Sequence, residues 1–214
     1  MQPSQDQGRS RDDRAEIARA AVRALAEGRA GDLADAVERG IAETGSDPRG
    51  SRPTRAQLRA HAQAHEESTV GAEGRGRRIR TALDEALRVL SILEATVLAR
   101  DPEGCARRPP AVYGRAARGQ LDLDPVVHVR VETSLSAAAL AQSLFEQGVA
   151  DPTCGSVETR HGRLDEIRFA GAEADFRVVR IPPRMAVDRD RDLVRGKPVE
   201  HADYETLAAR LRGA

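Results

Sequence analysis

Between Arg77 and Ala99 the apolar residues Ile79, Leu83, Ala86, Leu90, Leu93 and Val97 recur every three or four positions. That spacing sets them on one face of a long helix. A stripe of this length has to be covered, either by the rest of the chain or by a second molecule. The covering material must be aliphatic, because the sequence holds three phenylalanines, two tyrosines and no tryptophan.

Upstream, residues 1–12 are polar and lack an apolar period, and are expected to form a disordered tail. A helix is expected from about Asp13 to Glu27, with Ile17, Ala21 and Leu25 inward and Gly28 ending it. A second presents Leu33, Val37 and Ile41. Thr44–Pro53 reads as a loop, and Thr54 with Gln57 matches a capping box. The helix that follows carries Leu58, His61 and His65 on one face. A glycine-rich run is expected to break it before the stripe begins. Residues 13–100 thus form a helical region, a surface for a homo-oligomer or a protein partner.

The pattern changes at Asp101. Val126–Glu132 alternates apolar and polar residues, as a half-buried strand does. Ser136–Gln147 reads as a helix closed by Gly148, and Val157–Thr159 as a short strand. Leu164–Phe169 and Asp175–Ile181 read as a hairpin around 170–173, stopped by Pro182 and Pro183. Asp203 caps a closing helix to Arg212. The expected fold class is α+β: a helical N-terminal half, then a small mixed β-sheet covered by helices over 101–214.

Thirty-four basic residues balance thirty-four acidic ones, so no overall field draws the chain to nucleic acid or to a lipid surface. The few aromatics offer no stacking platform for bases. No apolar run approaches the ~20 residues of a membrane helix. Cys105 and Cys154 are far apart, and the first residues lack an apolar leader segment. Both features fit a cytoplasmic, reducing location. His61 and His65 have the i, i+4 spacing of a metal pair, but Ala62 stands where a metalloprotease helix carries glutamate, and no third ligand is evident. A polar helix face accounts for both. The glycines at 71, 74 and 76 follow no strand, so they read as a helix break rather than a phosphate loop.

The most informative segment is 112–132, VYGRAARGQLDLDPVVHVRVE. A short apolar stretch leads to Gly114, Arg115, Ala116, Ala117, Arg118 and Gly119, and a strand begins at Val126. This resembles the signature of the DNA polymerase beta-type nucleotidyltransferase superfamily, in which the turn often runs G-S-R-A-R-G. A strand bearing carboxylate–apolar–carboxylate follows the turn, and a neighbouring strand adds a third carboxylate. The likeness spans about residues 110–211. It includes Phe145, Gly148 and Val149 after the next helix, and the run from Asp192-Leu193-Val194 through Lys197 to Asp203-Tyr204.

In that family the turn approaches a triphosphate, and the carboxylates hold two magnesium ions. The resemblance places Val126 and His128 at the carboxylate pair and Arg177 at the third position. None can ligate magnesium, and a guanidinium would repel it. The resemblance therefore implies a degenerate, non-catalytic member without a cofactor. Gly114, Arg115, Arg118, Gly119, His128 and Arg177 would form a cationic site for a phosphate-bearing ligand. Two alternatives stand beside it. One is an active magnesium-dependent nucleotidyltransferase using Asp122, Asp124 and Glu132. The other is a helical interaction protein with no ligand.

Overall fold

The computed structural model describes residues 5–47, 52–102, 108–121 and 125–213, with side chains from residue 12 onward. It comprises two compact units, Met1–Gly76 and Arg77–Ala214, and the boundary falls inside the longest helix.

The first unit holds α1 (Gln5–Ala26), α2 (Leu33–Thr44) and the start of α3 (Arg55–Arg100). Residues 5–12, expected as a disordered tail, are helical. Glutamine and arginine are good helix formers, and the missing apolar period means only that this stretch has no core face. Asp32 caps α2 by accepting from the Asp35 N–H at 2.8 Å. Ile17, Ala18, Ala21 and Ala24 of α1 pack with Ala36, Val37 and Ile41 of α2 and with Leu58.

Small residues let the two helices close up. A Cβ on Gly40 would meet the Ile17 carbonyl oxygen at 2.8 Å and the Ala21 nitrogen at 3.1 Å. Backbone cannot swing aside as a side chain can. Gly40→Ala should therefore push α2 off α1 and cost about 1–3 kcal/mol. The expected sign is faster hydrogen exchange of α1 and α2 amides; unchanged exchange would contradict this close approach.

The capping box forms at the head of α3: Thr54 Oγ1 accepts from the Gln57 N–H at 3.2 Å, and Gln57 Oε1 accepts from the Thr54 N–H at 2.9 Å. The expected glycine-rich break contracts to one residue, Gly71, at φ 75° and ψ 166°. Gly74 and Gly76 stay helical, because glycine weakens a helix without forbidding it.

The second unit takes the rest of α3 with β1 (Ala111–Tyr113), a single 3₁₀ turn (Ala116–Arg118), β2 (Val126–Glu132) and α4 (Ala137–Glu146). There follow β3 (Thr153–Thr159), β4 (Gly162–Ala170), β5 (Asp175–Ile181), β6 (His201–Ala202) and α5 (Tyr204–Arg212). The six strands form one sheet in the order β3-β4-β5-β2-β1-β6. β2 and β5 run parallel; the other neighbours are antiparallel. The expected α+β class is what the chain adopts.

The α3 stripe lies inside this unit. Leu83, Ala86, Leu90, Leu93 and Val97 are buried in one cluster with Val127, Val129 and Val131 of β2, Phe176 and Val178 of β5, Leu140 and Leu144 of α4 and Leu207 of α5. Of the two expected covers for the stripe, the rest of the chain or a second molecule, the sheet of the same chain supplies the first, and residues 77–100 fall in one unit with it. Glu85 fixes the register by accepting from the Ala172 N–H in the β4–β5 turn at 2.9 Å, and Arg78 pairs with Glu173 at 2.9 Å. No helix among the described residues is long and apolar enough to cross a membrane.

Candidate functional site

Strand alternation decides what the other face of the sheet carries. Val127, Val129 and Val131 point to the helices, so Val126, His128, Arg130 and Glu132 point away. Pairing then aligns residues across the sheet. Arg168 on β4 stands opposite Arg177 on β5, Arg177 beside His128 on β2, His128 opposite Tyr113 on β1, and Tyr113 opposite His201 on β6. Two arginines and a histidine thus stand in one row across three strands. With strands ~4.8 Å apart, the row spans roughly 10 Å.

The chain from 182 to 200 crosses the same face but covers a different part of it. Val187 and Leu193 pack on Leu164, Val179 and Ile181, and Arg130 donates to the Arg191 carbonyl at 2.9 Å. Asp192 shapes this segment by accepting the N–H groups of Val194 at 3.0 Å and Lys197 at 2.9 Å. Burial alone would raise its pKa, but the backbone donors outweigh it and hold the carboxyl below its ordinary value. Arg168, Arg177 and His128 remain exposed.

Like charges set directly opposite each other on a sheet are destabilising. Arg168 has an acid, since its Nε donates to Glu166, which is 2% exposed. Arg177 has no hydrogen bond or ion pair among the described residues, and neither has His128. Asp175 lies one row away on β5 and does not pair with Arg177. The His128 pKa is held below its ordinary 6.5. Loss of water to its crowded neighbours is the main cause; the Arg177 and Arg130 charges act the same way, and Glu166 opposes them.

The sign follows from the shift. The unfolded chain binds the proton more tightly, so the neutral ring's contribution to stability is lost as pH falls from 6.5 through the folded pKa. An NMR titration of the His128 ring should give a midpoint below 6.5, moving up in Arg177→Gln. A midpoint at or above 6.5, or no movement in the variant, would show that the cationic row does not act on this histidine.

The glycine turn differs from the family pattern in what its N–H groups do. Gly114 and Gly119 both take left-handed φ, 77° and 76°. The Gly114 N–H already donates to the Glu200 carbonyl at 2.8 Å, and the Gly119 N–H to Ala116 at 3.0 Å. The Arg118 and Gln120 N–H groups both donate to the Arg115 carbonyl, at 2.9 and 3.0 Å. The donors expected to meet phosphate are thus engaged within the protein. Arg118 is exposed and pairs with Glu200 at 3.1 Å, and Arg115 is half-buried. What the structure sets side by side is His128 and Arg177, with Tyr113 linking that row to the turn.

Of the carboxylate alternative, Glu132 stands away from the turn. Tyr113 pairs with His128, so Gly114 adjoins the Val126 end of β2, while Glu132 closes the other end. That is four residues beyond His128, about 13 Å along the strand. Glu132 is ion-paired with Arg108 at 3.0 Å. Asp122 and Asp124 lie outside the described residues. His61 and His65 are half-buried on α3, and no cluster of three or more metal-ligating side chains occurs among the described residues.

Arg168 and Arg130 escape sequence reading, although alternation along β4 and β2 could have found them. Arg108 and Arg189 lie in irregular segments and leave no such signal. Compared with known proteins, the chain matches no family model and no curated relative.

Proposed function

We propose that this protein binds a phosphate-bearing ligand directly, without metal and without catalysis, on the exposed cationic row of its sheet. The observation that carries the reading is Arg177, registered beside His128 and opposite Arg168, with no acid partner among the described residues. Such a row lowers stability unless an anion sits on it, and guanidinium forks are well suited to phosphate. His128 gains a proton more readily once an anion offsets the neighbouring charges.

Arg115 and Arg118 of the turn contribute less, because Arg118 has Glu200 and the turn's N–H groups are engaged. On this reading the resemblance to nucleotidyltransferases describes ancestry of a fold rather than an activity. On this reading the protein acts in the cytoplasm, a reducing location that suits the exposed free thiol of Cys154.

The test is a titration of ATP with and without EDTA, beside an assay of label transfer from nucleoside triphosphates to protein or RNA in magnesium or manganese. The expected result is weak, salt-sensitive binding that ignores EDTA, and no transfer. Binding that needs magnesium, or robust transfer, would overturn the reading.

A further inference from the structure

Next to the exposed row, beneath the 182–200 segment, a small cleft is lined by Arg108, Tyr113, Arg130, Glu132, Val187 and Arg189, among others. We infer that this cleft is a second, separate anion site that takes one terminal oxyanion head, a phosphoryl or carboxylate group, between Arg130 and Arg189.

Three guanidiniums face one carboxylate there. Glu132 is committed to Arg108, which also donates to the Val187 carbonyl at 3.3 Å. Arg130 is only 8% exposed and has no ion pair. Its guanidinium carbon lies 3.8 Å from the centre of the Tyr113 ring, and one nitrogen donates to the Arg191 carbonyl. Arg189 donates to the Pro109 carbonyl at 2.8 Å and makes a long contact of 3.4 Å to the Tyr113 hydroxyl. Each guanidinium has five N–H donors, so both arginines keep donors beyond those these contacts use.

The other acids nearby are otherwise engaged. Asp192 serves its own turn, Asp188 pairs with Arg191 at 3.4 Å, and Asp190 lies 3.5 Å from His201. Burying a guanidinium is costly; the Asp192 charge acts on Arg130 without an ion pair, and an oxyanion would supply a direct counter-charge.

Size selects the ligand. The free volume is about 10 Å³, room for roughly one water-sized group. A single oxygen of an oxyanion can enter while the rest of its molecule stays outside. A ribose or a base cannot. Tyr113 holds the site together: Arg130 covers one part of its ring system, and His201 stacks with it at 5.5 Å.

The experiment titrates the full-length protein separately with inorganic phosphate and with acetate at fixed ionic strength. It follows the Arg130 and Arg189 side-chain Nε–H resonances by NMR. Saturable shifts of both are expected with at least one anion. A response to phosphate alone identifies a phosphoryl terminus, and an equal response to acetate a carboxylate. Arg189→Gln should weaken binding at least about tenfold, in line with loss of a charge-assisted contact. Tyr113→Phe, which keeps the ring and removes the hydroxyl, should weaken it less and guards against a folding defect in the first variant. Arg177→Gln should leave cleft binding unchanged while removing ATP binding to the row, so the two sites can fail separately. No saturable shift with either anion, or a shift indifferent to Arg189→Gln, would overturn the inference.

Discussion

Leu90→Ala should destabilise the sheet-bearing unit by about 2–5 kcal/mol, the cost of emptying a fully packed leucine site. Leu90 is 1% exposed, at the centre of the α3 stripe, among residues of β2, β5, α4 and α5. The cavity cannot relax easily, because the aromatics of the same buried cluster are tightly packed. Phe169 and Phe176 stack with ring centres 4.9 Å apart, and Gly171 leaves no room beside them. A Cβ there would come within 2.7 Å of the Phe176 ring and 2.8 Å of the Ala174 carbonyl oxygen. Hydrogen exchange should speed up throughout β2 and β5. A stripe that served as an oligomer surface would respond differently: the variant would alter association and leave the monomer's sheet protected.

Arg177→Glu should abolish ATP binding, a loss of at least about tenfold in affinity. The same change should raise stability slightly. It sets a carboxylate opposite Arg168, turning one like-charge cross-strand contact into an opposite-charge one, worth roughly 0.2–1 kcal/mol. A variant that binds less and folds better would identify Arg177 as a residue kept for its ligand. Lost stability together with unchanged binding would make it an ordinary surface arginine.

Much of this architecture could be read from the sequence where periodicity runs long enough. The stripe from Ile79 to Val97, the alternation of VVHVRVE, the hairpin at 170–173 and the capping side chains of Thr54 and Asp203 each rest on local physics. The structure keeps them, down to Asp203 Oδ1 accepting from the Thr206 N–H at 2.9 Å. β1 and β6 have three and two residues, too few to show a period. β3, with Thr153, Cys154 and Gly155 all exposed, lies on a sheet edge and has little core face to declare itself. Partner choice within a sheet is non-local, so the alignment of Arg168, Arg177 and His128 follows only once β4, β5 and β2 are known to be neighbours.

The candidate site divides the same way. The family resemblance sets Arg177 at the third carboxylate position; the parallel β2–β5 register aligns it with His128. The glycine turn is legible only through its likeness to the family pattern, which says nothing of where its own N–H groups point. Glu200, eighty-six residues after Gly114, takes that donor through its carbonyl, a contact outside any local pattern. The Arg108 and Arg189 cleft depends on two irregular segments meeting over β1 and β2, and no spacing in the chain announces it.

The most direct test of metal-free anion binding on the sheet follows the His128 ring by NMR while ATP is added in excess EDTA. Ligand phosphate on the row should raise the His128 pKa from its depressed free value, saturably, and Arg177→Glu should remove the ligand's effect. A His128 resonance whose pKa ignores ATP in EDTA, or shifts only when magnesium is restored, would contradict the account.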